Sequence, residues 1–202
     1  LSFDLEAAPR DPTLLRAVEA APFVPSDPHT RDDRCRDIFK TQVSALGRRL
    51  SHVGTPAVSI GVSGGLDSTL ALLVLCKTLD ELCASRDRIH ALTMPGFGTS
   101  GETKKNAFGL ARALHVPLRE VDIRPMCLEQ MRALGHAPFG IGLERETVDS
   151  LAEKLTRLEA NNRNDLVFEN VQARVRTALL MNAGFTIGTG DLSELALGWC
   201  TY

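Results

Sequence analysis

Residues 57–69 constrain the chain more than any other stretch. AVSIGV (57–62), apolar but for Ser59, looks like a buried strand. It runs straight into SGGLDST (63–69) and then into the apolar, mostly unbranched stretch 70–79, which predicts a buried helix over 68–79. A strand, a glycine turn and a helix in that order put backbone N–H groups and the positive end of a helix dipole at one point, which suits a phosphate. Gly64 and Gly65 permit the tight turn and a close approach to a ligand, and Ser63, Ser68 and Thr69 add hydroxyls. The plainer alternative is a glycine turn with a serine cap.

The loop is not a Walker A motif, because GxxxxGK[ST] is absent and no lysine follows the glycines to hold β- and γ-phosphates. That difference suits chemistry at the α-phosphate, with pyrophosphate leaving intact into the loop. Asp67 places a carboxylate among phosphate-binding groups, an arrangement that calls for a cation between them; Mg²⁺ takes carboxylate and phosphate oxygens together. As an alternative, Asp67 caps the following helix.

Around this unit the chain alternates. A helix is expected from Thr30 or Arg31, with Ile38, Val43, Leu46 and Leu50 as its apolar face. Strands are expected at 89–94 and 117–123, with a helix at 103–114 between them. A helix at 168–181 leads to a strand at 185–188. The pattern predicts an α/β fold, an open doubly wound parallel sheet of about five strands flanked by helices. Residues 135–165 break the rhythm and read as an insertion or mobile flap, with one amphipathic helix carrying Val148, Leu151, Leu155 and Leu158. The connection between Asn182 and Phe185 is so short that a few residues are expected to be missing there.

Two further segments carry chemistry. In IGTGDLSELALGW (187–199), Thr189 and Gly190 follow a strand, at the edge where open α/β sheets bind ligands. Asp191 with Glu194 three residues on also has the spacing of a capping box, which needs no ligand. In ENVQARVR (169–176), Asn170 and Arg174 share a helix face, suited to an anionic, hydrogen-bonding substrate, while Arg176 points elsewhere.

Composition excludes some classes. A formal net charge of −2 gives no general attraction to nucleic acid or an anionic membrane, and no apolar run reaches the ~20 residues of a membrane span. The five cysteines (Cys35, Cys76, Cys83, Cys127, Cys200) are odd in number and have no CxxC spacing, which predicts free thiols and a cytoplasmic setting. Cys76, inside an apolar run, reads as a small core residue. Residues 1–29 hold five of the ten prolines (Pro9, Pro12, Pro22, Pro25, Pro28) and read as a linker.

Taken together, GVSGGLDS (61–68), TMPGFGT (93–99), ENVQARVR and GTGDLSELALGW resemble the glutamine-dependent NAD synthetase family, and PFVP (22–25) resembles its interdomain segment. The resemblance implies the pyrophosphate-loop (PP-loop) fold of the adenine nucleotide alpha-hydrolases. It implies a ligase that adenylates the carboxylate of deamido-NAD with ATP and Mg²⁺, then displaces AMP with ammonia. Gly61, Val62, Ser63, Gly64, Gly65, Leu66, Asp67, Ser68 and Thr189 would then contact ATP. Asp67 and Glu194 would hold Mg²⁺, and Asn170, Glu194, Trp199, Cys200, Thr201 and Tyr202 would contact deamido-NAD, with no covalent nucleophile. It further implies a synthetase domain over 30–202 that continues past Tyr202, a preceding nitrilase-like glutaminase domain outside this sequence, and a homo-oligomer. Other pyrophosphate-loop adenylating enzymes, GMP synthetase-like or tRNA-thiolating, and a non-catalytic nucleotide-binding domain stay open at this point.

Overall fold

The structure, a computed structural model, describes residues 21, 24–99, 101–158 and 164–197, with the backbone alone at 193, 195 and 197. The chain divides into two compact units, Leu1–Thr41 and Gln42–Tyr202. In the first, Asp27 opens helix α1 (Pro28–His52): its carboxylate accepts the Thr30 N–H at 2.7 Å and its carbonyl the Arg31 N–H at 3.0 Å. Pro28 takes the first helical position, where a missing N–H costs nothing, so the helix starts two residues before the expected Thr30. Ile38, expected on the apolar face, is exposed; Val43 and Leu50, in the second unit, are buried.

The second unit is built on four parallel strands, β1 (Val58–Gly61), β2 (Ile89–Thr93), β3 (Leu118–Glu120) and β4 (Phe185–Ile187), in the order β3-β2-β1-β4. The expected fifth strand is not among the described residues; the four strand-like segments of the sequence account for the four strands described. Helices α2 (Leu66–Glu81) and α3 (Gly101–Ala113) carry the chain from β1 to β2 and from β2 to β3. The return to β4 runs through α4 (Arg124–Ala133), α5 (Val148–Thr156) and α6 (Leu166–Ala183). A last short helix, α7 (Leu192–Leu197), follows β4.

Two apolar clusters show that both sheet faces are covered. Val58 and Ile60 of β1 and Ile89 and Ala91 of β2 pack with Leu72, Leu75 and Leu79 of α2 and Ala107 of α3. Leu92 and Met94 pack on the other side with Cys127 and Met131 of α4, Leu151 of α5 and Phe168, Val171 and Val175 of α6. Ser59 is buried in the centre of β1, and its hydroxyl satisfies itself on Leu180 O at 2.7 Å and Thr186 Oγ1 at 3.0 Å. Cys76 is buried as expected, and the described cysteines are free thiols.

One helix was missed, and one expectation needs correction. Helix α4 was not anticipated, although Cys127, Leu128 and Met131 give it a buried stripe. Gly184 alone joins α6 to β4, and Phe185 N–H donates directly to Ala57 O at 3.1 Å. Residues 135–158 are packed rather than forming a flap. Leu143 and Leu151 are buried in the second cluster, and the Phe139 ring meets Phe168 edge-on at 5.1 Å.

Asp165 ties this segment to α6. As the N-cap it accepts the Phe168 N–H at 2.9 Å, and its other oxygen accepts the Phe139 N–H at 3.0 Å and meets His136 Nε2 at 2.9 Å. Burial pushes this carboxyl upward, but the two backbone donors and His136 outweigh it and hold it below the usual carboxylate range. A depressed pKa contributes stability that is complete above the unfolded value of ~3.9 and is lost as pH falls through the folded one. Asp165→Ala is therefore expected to cost about 2 kcal/mol at pH 7, a cap plus a charge-assisted bond, and less at pH 3, below the unfolded value. Urea unfolding at both pH values checks this; an equal gap at pH 3 would show that the carboxylate charge is not the source.

Candidate functional site

The carboxyl ends of β1 and β4 lie side by side, with Val58, Ser59 and Ile60 in register with Phe185, Thr186 and Ile187. From β1 the chain steps one way to β2 and β3, and β4 adds on the opposite side, so the strand order reverses between β1 and β4. Open α/β sheets form their ligand crevice at such a point. Both glycine-rich segments leave the sheet here, 62–65 after β1 and 188–191 after β4. Asn170 belongs to the same edge, because α6 runs back against the strands and begins at their carboxyl ends.

The loop after β1 is set by local bonds. Val62 N–H donates to Leu92 O at 2.8 Å, which prolongs the pairing of β1 with β2. The chain then turns at Gly64, whose φ of +86° belongs to glycine. A Cβ there would lie 2.2 Å from Thr103 O and 3.1 Å from Ala107 N, so the turn rests directly on the first two turns of α3. Gly65 is the N-cap of α2, and no side chain caps that helix. The N–H groups of its first turn thus face outward with the positive dipole end behind them.

The hydroxyls divide between two tasks. Ser68 is buried; its Oγ donates to Gly65 O at 3.1 Å, accepts the Ser63 N–H at 3.3 Å and lies 3.1 Å from Ser63 Oγ. Thr69 Oγ1 also donates to Gly65 O, at 2.8 Å. These two brace the loop from within; Ser63, exposed at its rim, also accepts the Gly65 N–H with Oγ at 3.2 Å. Leu66 is 87 % exposed and takes no part in core packing. Asp67 is exposed in the first turn and caps nothing, which removes the helix-cap alternative.

The capping alternative is realised instead after β4. Glu194 N–H donates to Asp191 Oδ1 at 2.9 Å, and Asp191 N–H to Glu194 Oε2 at 3.3 Å. The same Oε2 lies 2.8 Å from where a Cβ on Gly190 would stand, so the carboxylate folds back over the glycine loop. Thr189, between strand and helix, is half-buried. Trp199, Cys200, Thr201 and Tyr202 lie outside the described residues.

Asp67 and Glu194 thus stand on segments leaving neighbouring strands, both exposed. Among the described residues no group of three or more His, Cys, Asp or Glu is placed to hold a metal. Two carboxylates suffice for Mg²⁺ only when phosphate oxygens and water complete the shell, and that is the donor set a phosphate crevice offers. No helix among the described residues is long and apolar enough to cross a membrane.

Sequence reading missed what holds the segment after β2. Gln172, buried on α6, accepts the Phe97 N–H at 2.9 Å, and Arg176 Nε donates to Met94 O at 3.1 Å. The i, i+4 spacing of Gln172 and Arg176 was visible, but the pairing with a segment some 80 positions away was not. Asn170 is half-buried and Arg174 exposed.

The profile of the NAD synthase family matches residues 38–202. The glutamine-dependent NAD(+) synthetase of Mycobacterium bovis is 42% identical over 100% of this chain, which spans 28% of that protein's length. The NH(3)-dependent NAD(+) synthetase of Hyperthermus butylicus is 31% identical over 73% of this chain and 45% of its own length. Among solved structures, the glutamine-dependent NAD+ synthetase from Acinetobacter baumannii, in complex with ADP, has a TM-score of 0.63 at 27% identity, over 92% of this chain and 30% of that one. The fold is therefore the PP-loop, adenine nucleotide alpha-hydrolase-like sheet that the resemblance implied. With the family match spanning all four strands and every described segment at the crevice, the chain belongs to the NAD synthase family.

Proposed function

We propose that the protein carrying this chain is a glutamine-dependent NAD synthetase, a ligase that converts deamido-NAD to NAD with ATP and ammonia. The observation that carries this reading furthest is the uncapped start of α2, presented by a loop without a Walker lysine, at the switch point of the sheet. A substrate carboxylate resists ammonia at neutral pH, so one of its oxygens must first become part of a good leaving group. The carboxylate oxygen bonds to the α-phosphorus of ATP, and the bond from that phosphorus to the bridging oxygen breaks to release pyrophosphate. Ammonia then bonds to the carboxyl carbon, AMP leaves with its oxygen, and the nitrogen loses a proton.

In this reading residues 61–68 and Thr189 line the ATP subsite. The first-turn N–H groups of α2 take the departing pyrophosphate, with no reorganisation needed as charge develops. Asn170 and Glu194, together with residues 199–202, contact deamido-NAD and orient its carboxylate. Asp67 and Glu194 would hold Mg²⁺, which when bound supplies charge neutralisation on the phosphate oxygens. A glutaminase domain delivering ammonia, a homo-oligomeric state and a cytoplasmic setting belong to the same proposal, as does a linker role for residues 1–29 ahead of a synthetase domain at 30–202. The GMP synthetase-like and tRNA-thiolating alternatives have no comparable support. The test is NAD formation from deamido-NAD, ATP and free ammonia, rising from pH 7 to 9 as more ammonium is deprotonated. Turnover of a GMP-pathway precursor in place of deamido-NAD would overturn it.

A further inference from the structure

The segment 94–99 after β2 rests on two side chains of α6 that are one turn apart. Gln172 accepts the Phe97 N–H with Oε1 at 2.9 Å and donates to Phe168 O with Nε2 at 3.3 Å, so its amide is fixed at both ends. Arg176 donates its Nε–H to Met94 O at 3.1 Å. A Cβ on Gly96 would stand 2.4 Å from Gln172 Oε1 and 2.8 Å from Arg176 Nη2, so only a glycine lets the segment settle on both. A further bond, from Gly96 N–H to Thr99 Oγ1 at 2.9 Å, closes the turn.

Both ends of the Gln172 amide are engaged by these contacts, whereas the Nη end of Arg176 is not. The guanidinium is half-buried, yet its Nη atoms donate to no described residue and no carboxylate among the described residues pairs with it. Burial pushes its pKa down, and the neighbouring Cys127 thiol, itself pushed up to about 11 by burial, is neutral at pH 7 and offers no counter-charge. Arginine stays protonated, so a partly desolvated guanidinium without an anion is costly until one arrives. It sits at the right edge of the sheet: Met94 Cε comes within 3.4 Å of where a Cβ on Gly61 would stand, at the last residue of β1.

We propose that Arg176, held by Met94 and steadied by Gln172, offers its Nη hydrogens to an anionic oxygen of the bound substrate, a carboxylate or phosphate oxygen. The proposal rests on the adenylation reading of the same crevice and adds a residue to it. The test is titration calorimetry on the full chain with ATP, deamido-NAD and NAD, comparing wild type, Arg176→Gln and Arg176→Lys, with a thermal melt of each. Glutamine can still donate to Met94 O but carries no charge, whereas lysine keeps the charge.

Arg176→Gln is expected to weaken at least one ligand about 10- to 100-fold, the range of a lost charge-assisted hydrogen bond, and Arg176→Lys to recover part of it. Loss for deamido-NAD and not NAD places the contact on the pyridine carboxylate. Equal loss for both places it on the dinucleotide's phosphates, and loss for ATP alone places it on the nucleotide. Unchanged affinities in a folded Arg176→Gln would overturn the proposal. So would equal losses in both variants that follow their melting temperatures, which would mark Arg176 as a fastener of the segment only. Wild type that binds none of the three ligands would instead overturn the adenylation reading and remove the basis of this proposal with it.

Discussion

Asp67→Asn is expected to lower turnover by about 10²–10³-fold while leaving the folded state almost as stable as before. The carboxylate is exposed, caps no helix and sits in the first turn of α2. Its contribution to the fold is a favourable position near the helix dipole, worth at most ~1 kcal/mol. In the proposed phosphate crevice the same negative charge would hold a cation against the phosphate oxygens, and removing one such electrostatic element typically costs ~3–4 kcal/mol of transition-state stabilisation. Steady-state kinetics at several Mg²⁺ concentrations, with a denaturant melt of the variant, separates the two effects. Near-normal turnover in Asp67→Asn at saturating Mg²⁺ would take the residue out of the reaction.

Gly64→Ala is expected to produce the largest structural effect of any single change in the loop. A side chain at φ +86° is strained by ~1–2 kcal/mol, and the added carbon would lie 2.2 Å from the backbone oxygen of Thr103. No side chain can rotate away to relieve that contact, because both partners are backbone on α3. Overpacking of this kind adds a further ~1–3 kcal/mol, so the total loss is about 2–5 kcal/mol. Gly65→Ala is the control. Gly65 has a φ of −86° and its added carbon would meet only Ser63 Oγ at 3.4 Å, so its cost stays below ~1 kcal/mol. Urea unfolding of the two variants should separate them clearly; equal stabilities would show that the loop does not rest on α3.

The contrast between these glycines marks how far the sequence could be read. Strand, turn and helix around residues 57–79 were legible because each signal is local: a mostly apolar run, a glycine pair and an apolar helix. The alternation to β2, β3 and β4 was legible for the same reason, and the parallel order followed from it. Why Gly64 is indispensable and Gly65 is not depends on Thr103, almost forty positions away, which no local pattern reports. The segment 135–158 failed in the same way. Its polar, glycine-rich flanks looked like an unanchored insertion, whereas Asp165 binds it through His136 and Phe139 across 29 and 26 positions. Asp67 and Glu194 illustrate the converse. Both fitted a capping role by spacing, and only the folded geometry shows that Glu194 caps and Asp67 does not.

The central claim is that the substrate carboxylate attacks the α-phosphorus of ATP in the crevice between β1 and β4. It is tested most directly by running NAD formation with deamido-NAD labelled with ¹⁸O in its carboxylate, and weighing the phosphorus products. Adenylation predicts AMP carrying one ¹⁸O atom and unlabelled pyrophosphate in amounts equal to the NAD formed. Formation of ADP with ¹⁸O in inorganic phosphate would place the attack at the γ-phosphorus and contradict the account.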